Sequence, residues 1–258
     1  MVLQVYDILR QYSMVLKADD PELLNEFLIL KASPKKLIAM QNRLNKKLNR
    51  VGDKLINRVI ADFTYDGKDL RPDITAAFVA TVPATYIYGA NTILNKVPHT
   101  NFEKNLIKED KLQKIFDDRI FSASETTMNN LTGEVLPKIK EGITEGRAYN
   151  KTATELKPEF KNMTDWQMKR IARTETHSVY NQSKLETMQK ARSVQGKQWI
   201  SSGLPNMREW HADVDGQTVA VGEPFIVDGE ELMFPGDPDG SAENVINCAC
   251  TMVPVLRM

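Results

Sequence analysis

An apolar stripe near the start of the chain constrains the fold more than any other feature. Between positions 37 and 63, apolar residues recur at steps of three or four, which places them along one side of an α-helix. They are Leu37, Met40, Leu44, Leu48, Val51, Leu55, Val59 and Phe63. Ser33-Pro34 is a typical helix start, and Tyr65-Asp66-Gly67 is a typical helix end. A stripe of about seven helical turns is close to a coiled-coil seam, so we predict a long helical arm that docks on a partner.

Further helix signals follow along the chain. They are an N-cap and proline at Asp20-Pro21, an apolar segment over 70–95 interrupted by Pro72 and Pro83, and a helical segment over 110–145 with a kink or break at Pro137. Two capping-box patterns come next, Thr152-x-x-Glu155 and Thr164-x-x-Gln167. The second pattern predicts a helix from about Asp165 to Arg192.

The pattern changes after Gly196, where short runs rich in Trp, Val and Ile are separated by Gly, Pro and Asp. The runs are KQWIS, REWHA, QTVAV, PFIV, ELMF and the final CACTMVPV. Such runs between turn residues indicate short antiparallel strands. We therefore predict an α+β protein: a mainly helical N-terminal region with a long helix, followed by a small C-terminal α+β domain. The predicted boundary divides the chain into 1–139, a helical docking region, and 140–258.

The chain is neutral overall, but its charge is unevenly distributed. From Ser33 to Ile60 there are eight Lys or Arg residues and one acid, whereas Gly203 to Val245 holds ten acids and one base. Six of the basic residues recur on the predicted long helix: Arg43, Lys46, Lys47, Arg50, Lys54 and Arg58. This basic ridge, as we call it, would bind DNA phosphates without sequence preference. A solvated helix face, or docking on an acidic protein surface, explains the same pattern.

Two cysteines and two histidines in the C-terminal half suggest a metal site. Cys248 and Cys250 are too few and too close for a disulfide framework, which favours a reducing compartment. Together with His177 and His211 they offer the ligand types of tetrahedral zinc. The alternatives are that the cysteines are small buried apolar residues, or that one is a nucleophile with His211 as its base.

A polar group on the helix before the strands has two interpretations. Arg173 and Asn181 are eight positions apart and share a helix face, so they could fix the helix against the strands by hydrogen bonds. Alternatively, Arg173 and Glu175 could be a catalytic pair, although no phosphate-binding glycine loop accompanies them. The acidic loops around Asp215 and Asp237 fit turns better than a calcium loop. We expect no secretory signal and no membrane span, because no apolar stretch of about 18 residues occurs.

The order of these motifs resembles the Mu F-like, or SPP1-type, family of phage head-morphogenesis proteins. The segments that carry the resemblance are IARTETHSVYNQSK, KQWISSG, REWHADVDGQTV, GEPFIVDGEELMFPGDPDG and ENVINCACTMVPV, over about residues 140–254. The matching positions to which the resemblance assigns a structural role are Arg173, Glu175, Asn181, Trp199, His211, Asp215, Pro235, Asp237 and Asn247. Ala249 departs from the family pattern, which often has a basic residue between the two cysteines.

The resemblance implies a minor head protein and no catalytic residues. Its expected partners are the portal protein or the major capsid protein, and double-stranded DNA without sequence preference; no membrane is expected. Its expected location is the virion, at the capsid interior or portal vertex, and the host cytoplasm during assembly. Relatives with toxin activity usually carry an added C-terminal effector domain, which is not expected here. No cofactor is expected unless zinc is bound.

Two other classes of function remain open at this stage. One is an enzyme, a nuclease or a protein similar to ADP-ribosyltransferases, that would use Arg173, Glu175 and His211. The other is a binding module whose C-terminal domain is stabilised by zinc and would unfold when the metal is removed.

Overall fold

The structure, a computed structural model, describes residues 34–97, 109–148 and 152–257. The helix predicted after Asp20-Pro21 lies outside these residues. The long helix α1 runs from Pro34 to Ala61, as the helix start at Ser33-Pro34 predicts. Gly67 then adopts a left-handed backbone (φ 78°) before a short 3₁₀ turn at Lys68–Leu70. A residue without a side chain adopts this conformation without strain.

The apolar stripe of α1 is buried against helices of the same chain. Leu48 and Leu55 are 0% exposed and belong to one apolar cluster with side chains of the later helices, such as Met168. The prediction that the stripe docks on a partner is therefore wrong, because its surface is already covered. Phe63 differs from the other stripe residues, since it lies beyond the end of α1 and is 39% exposed.

Two short helices follow the 3₁₀ turn, α2 at Arg71–Val79 and α3 at Val82–Leu94. Pro72 and Pro83 lie in the first turns of these helices. They begin the helices and do not interrupt them, because the first helical turn needs no backbone N–H donor to an earlier carbonyl.

Pro137 changes the helix around it without ending it. Helix α4 spans Glu109–Asn130, a π-helical turn spans Leu131–Val135, and α5 spans Leu136–Ala148. Pro137 has no N–H to donate to the preceding turn, so the wider π turn lies where the regular hydrogen-bond ladder is interrupted.

The longest helix, α6, spans Lys157–Lys190 and begins earlier than predicted. The first capping box forms: the Thr152 N–H donates to Glu155 Oε2 (2.6 Å), and the Glu155 N–H donates to Thr152 Oγ1 (3.3 Å). The second does not, because Thr164 lies inside α6, where its hydroxyl donates to the Phe160 carbonyl (2.8 Å). Inside a helix, a threonine hydroxyl commonly donates to the carbonyl four residues earlier in this way.

The C-terminal part contains two small antiparallel sheets. Strands β1 (Val194–Ile200), β2 (Thr218–Ala220) and β5 (Thr251–Leu256) form one sheet in the order β2-β1-β5. Strands β3 (Phe225–Val227) and β4 (Glu230–Leu232) form a hairpin. Asp228 and Gly229 make its turn, both with positive φ, as the Asp-Gly signal predicts.

Two segments predicted as strands have other structures. REWHA forms a one-turn helix, α7 (Glu209–Asp213), in which the Ala212 N–H donates to the Arg208 carbonyl. The cysteines precede β5 in an irregular segment that follows another short helix, α8 (Ala242–Val245). In segments this short, hydrophobic periodicity cannot distinguish a strand from a single helical turn.

The predicted fold class is confirmed: a helical N-terminal region with a long helix precedes a small α+β part with short antiparallel strands. Helix α6 contributes to both main apolar clusters, through Met168 in the helical one and Met188 in the one around Trp199. The boundary at 139/140 stays a prediction. Among the helices of residues 34–97, 109–148 and 152–257, none is both long and apolar enough to cross a bilayer.

Candidate metal centre and its polar surroundings

His211, Cys248 and Cys250 converge in the interior of the C-terminal part. His211 Nδ1 lies 3.8 Å from the sulfur of Cys248 and 3.6 Å from that of Cys250. The ligand atoms of the three residues all lie within 4.8 Å of one another, and each residue is at most 3% exposed. Helix α7 supplies the histidine and the segment between α8 and β5 supplies both cysteines, so the cluster joins two segments distant in sequence.

Hydrogen bonds fix the imidazole of His211 so that one ring nitrogen faces the sulfurs. Trp210 Nε1 donates to Asn244 Oδ1 (2.8 Å), which also lies 3.1 Å from His211 Nε2. An indole N–H can only donate, so the oxygen of the Asn244 amide must face it. His211 Nε2 then carries a proton, and Nδ1 is the ring nitrogen that faces the two cysteine sulfurs.

The two cysteine thiols differ in how readily they lose a proton. The pKa of Cys250 is lowered because its sulfur accepts a hydrogen bond from Cys248 and lies beside His211. The pKa of Cys248 is raised because it donates that hydrogen bond and is buried. Cys250 is therefore the more readily deprotonated of the pair.

His177, predicted as a fourth ligand, is not part of this cluster. It lies on α6, where burial and the charge of Arg173 lower its pKa to about 4. Its Nδ1 is buried without a hydrogen-bond partner. The predicted four-residue ligand set is therefore wrong, because His177 on α6 does not join the other three residues.

Asn181 connects α6 to the segment that holds the cysteines. Its Nδ2 donates to the carbonyls of Pro235 (2.9 Å) and Cys250 (3.0 Å), and its Oδ1 accepts from Thr251 Oγ1 (2.9 Å). Asn181 is 0% exposed. A buried amide with all these partners holds helix and loop in one arrangement.

This network lies within the part of the chain that matches a known family. Residues 133–253 match the family model described as Phage Mu protein F like protein. This segment is similar to the Phage Mu F-like family. The resemblance predicted from the sequence over about 140–254 is thereby confirmed.

Two curated proteins are similar to parts of the chain. The uncharacterized protein YqbB of Bacillus subtilis is 36% identical over 87 residues, which are 32% of this chain and 28% of YqbB. The NAD(+)--arginine ADP-ribosyltransferase EFV of Enterococcus faecalis is 28% identical over 155 residues, which are 59% of this chain and 31% of EFV. The chain thus spans about a third of the length of each relative. No solved structure matches the chain.

Other motif positions of the Phage Mu F-like segment make turn and core contacts. Asp237 accepts from the N–H groups of Met233 (2.8 Å) and Asp239 (3.2 Å), and Asp215 accepts from the Ser201 N–H (2.7 Å). These acids therefore hold turns, as their loop motifs predict. The Asn247 N–H donates to Thr174 Oγ1 on α6 (2.7 Å), in a backbone with φ 62°.

Trp199 forms the centre of the C-terminal core. It is 0% exposed and makes edge contacts with the rings of His211 (5.6 Å) and Phe225 (5.3 Å). Its position on β1, opposite Met252 of β5, places the indole beside the candidate metal centre.

Glu175 of the predicted catalytic pair has a partner that the sequence did not indicate. Its Oε2 lies 3.0 Å from Nη2 of Arg119 on α4, and both side chains are nearly buried, at 14% and 10% exposure. Arg173 does not pair with Glu175 in this arrangement, although both lie on α6. The ion pair ties α6 to α4.

The basic ridge lies on α1, but acids from neighbouring elements neutralise part of it. Lys54 pairs with Asp73 of α2 (2.7 Å), and Arg58 approaches Asp69 (3.9 Å). Lys46 and Arg50 are exposed. The DNA contact of the basic ridge stays a prediction.

Sequence reasoning missed Asn244, which fixes the His211 tautomer, and the buried lysines. The Ser241 side chain caps α8 by accepting a hydrogen bond from the Asn244 N–H (3.3 Å). The spacing of Ser241 and Asn244 could therefore have predicted this short helix.

The two buried lysines are Lys197 and Lys184, which are 0% and 4% exposed. Their Nζ atoms donate to the carbonyls of Met233 and Met252 respectively. The sequence could not predict that these lysines are buried, because lysine is almost always exposed in folded proteins.

Proposed function

We propose that this protein is a minor component of a phage head, located at the portal vertex or capsid interior, that acts in head assembly and not as an enzyme. The observation that carries the proposal is the match of residues 133–253 to the Phage Mu F-like family. The contacts of the motif residues support a structural role, because they lock α6, the turns and the core together.

The docking surface of such a component cannot be the apolar stripe, because that stripe is core. Exposed apolar side chains elsewhere are better candidates for contact with the portal or major capsid protein. Phe121 on α4 is 66% exposed, and Trp166 on α6 is 58% exposed. Large aromatic side chains at protein interfaces contribute much of the binding energy.

Lys46 and Arg50 are the ridge residues that we propose for contact with packaged DNA. Both are exposed on α1. Binding through two or more phosphates weakens steeply with salt, because counterions are released from the DNA. A double charge reversal, Lys46→Glu with Arg50→Glu, would remove this interaction without altering the core.

Co-purification with the portal protein of the same phage, at low and high salt, tests the proposal. We expect a discrete complex that persists at high salt, that Trp166→Ala and Phe121→Ala weaken, and that the double charge reversal leaves intact. Lys138→Glu, at another exposed position, is the control for charge change. DNA retention at low salt should be lost in the double reversal and kept in Lys138→Glu. Absence of any complex with portal or capsid protein would contradict the assembly role.

The similarity to EFV supports a second candidate, an enzyme that transfers ADP-ribose from NAD⁺. We consider it the weaker candidate, since this chain spans only 31% of EFV and Glu175 is held in an ion pair with Arg119. We infer that the shared segment is the head domain. Release of nicotinamide from NAD⁺ in the presence of arginine-containing protein would favour the enzyme, provided that Glu175→Gln abolishes it in a folded chain.

A further inference from the structure

We propose that His211, Cys248 and Cys250 bind one zinc ion, which fixes the segment before β5 to helix α7. The site lies inside the Phage Mu F-like segment but is independent of any assembly role. It would be a structural centre of the C-terminal part, placed beside the Trp199 core.

The distances already fit a shared metal. Two ligand atoms bonded to one tetrahedral zinc, with usual zinc–sulfur and zinc–nitrogen lengths, lie about 3.6 Å apart. Nδ1 of His211 lies 3.6 Å from the sulfur of Cys250 and 3.8 Å from that of Cys248. Both nitrogen-to-sulfur separations therefore match a shared zinc ion, and the two sulfurs lie within 4.8 Å of each other.

Charge and burial point the same way. The two negative charges of a pair of thiolates balance the charge of Zn²⁺, and an assembly without net charge is the form that a protein interior accepts. His211 is 1% exposed, and the cysteines are 3% and 1% exposed. Sulfur and imidazole ligands select zinc over magnesium or calcium.

The groups around His211 resemble those that usually hold a zinc ligand in place. A histidine that binds zinc usually donates its other N–H to an oxygen that is itself held in place. His211 Nε2 meets Asn244 Oδ1, which Trp210 holds in turn, and the Asn244 amide also donates to the Val227 carbonyl (3.4 Å). Three protein ligands leave the fourth position of a tetrahedral zinc to a water molecule.

The test uses the full chain, purified under reducing conditions without chelator, with zinc measured by elemental analysis. We expect one equivalent of zinc per chain, and a sulfur-to-cobalt absorption band after exchange with Co²⁺. Cys250→Ser and His211→Gln should each lower the zinc content to about a tenth or less. His177→Gln is the matched control and should keep one equivalent, because His177 lies outside the cluster.

Loss of folding in the ligand variants does not weaken the test, because Asn244→Ala keeps all three ligands. We expect it to weaken zinc binding by about 10- to 100-fold, and we expect a chelator to lower the Tm of the wild-type chain. Folded wild-type protein with no zinc, no cobalt band and an unchanged Tm in chelator would overturn the proposal. Copper in place of zinc would overturn the choice of metal.

Discussion

Asn181 lies where helix α6 meets two loops of the C-terminal part, and it forms hydrogen bonds with the backbone of both loops. The carbonyls of Pro235 and Cys250 accept from its amide, and Thr251 donates to its oxygen. Pro235 and Cys250 are buried, and Thr251 is half-buried. Sequence reasoning predicted the role from spacing alone, since Asn181 shares a helix face with Arg173.

Removing the Asn181 amide should strongly destabilise the fold. We expect Asn181→Ala to lower the free energy of unfolding by about 3 kcal/mol, because buried carbonyls lose their donors. Urea denaturation followed by circular dichroism measures this change. Asn162→Ala, at an exposed position on the same helix, should change it by less than about 0.5 kcal/mol. Equal effects of the two substitutions would contradict the network.

Lys184 should make stability rise with pH. Burial and the charge of Lys96 lower its pKa to about 7, whereas the unfolded chain keeps the ordinary value of 10.5. Between pH 7 and 10 the unfolded chain binds a proton that the folded chain lacks, so raising the pH favours folding. The gain is at most about 1.4 kcal/mol per pH unit for this one group.

Lys184→Met should flatten this pH dependence. We expect the gain in the free energy of unfolding from pH 7 to pH 9 to be smaller in Lys184→Met than in wild type. Lys169→Met, an exposed lysine on the same helix, should keep the wild-type gain. A Lys184→Met slope identical to that of wild type would show that the buried amine does not titrate in this range.

At the scale of elements, α6 packs so closely on α3 that one position allows no side chain. A Cβ added to Gly89 would overlap the carbonyl oxygen of Tyr180 and press on Ser183. The Ser183 hydroxyl also donates to the Tyr86 carbonyl across the same contact. The helices could not keep this spacing with a larger residue.

Gly89→Ala should therefore lower stability although alanine favours helices. We expect a loss of about 1 to 3 kcal/mol from overpacking. Gly133→Ala is the control, because a Cβ there meets nothing within 4 Å. Thermal unfolding should show a lower Tm for the first variant and an equal or higher Tm for the second. A raised Tm in Gly89→Ala would contradict the close contact.

The elements also show what sequence patterns could and could not predict. The sequence of α1 predicted its start at Ser33-Pro34 and, through the stripe, its buried side, because a long period is averaged over many residues. The helix ends at Ala61, earlier than the signal at Tyr65-Asp66-Gly67 predicts. The stripe did not identify the covering surface, because α6 is distant in sequence. REWHA was assigned wrongly because one turn carries too little periodicity. Thr164 was assigned wrongly because a capping-box pattern also occurs inside a helix, where the threonine hydroxyl donates to an earlier carbonyl.

Residue types were enough to predict that His211, Cys248 and Cys250 lie together. They were not enough to exclude His177, which has a suitable ligand type but lies outside the cluster.

For the whole molecule, α6 connects the helical cluster to the core around Trp199. Met168 packs in the first and Met188 in the second. A single helix shared by two cores favours cooperative unfolding, because neither core can lose the helix alone.

Leu48→Ala, far from the strands, should therefore destabilise both parts together. We expect a loss of about 3 kcal/mol, with tryptophan fluorescence and helical circular dichroism changing at the same denaturant concentration. Ile38→Ala, at a position that is 53% exposed, should have little effect. Two separate transitions would show that the two cores unfold independently.

The central claim, a structural component of a phage head, is tested most directly by quantitative mass spectrometry of purified heads and procapsids. We predict that the chain is present in both, at low copy number relative to the major capsid protein, and that it remains after washing at high salt. Its absence from both particles would contradict the claim and would favour an activity outside the virion.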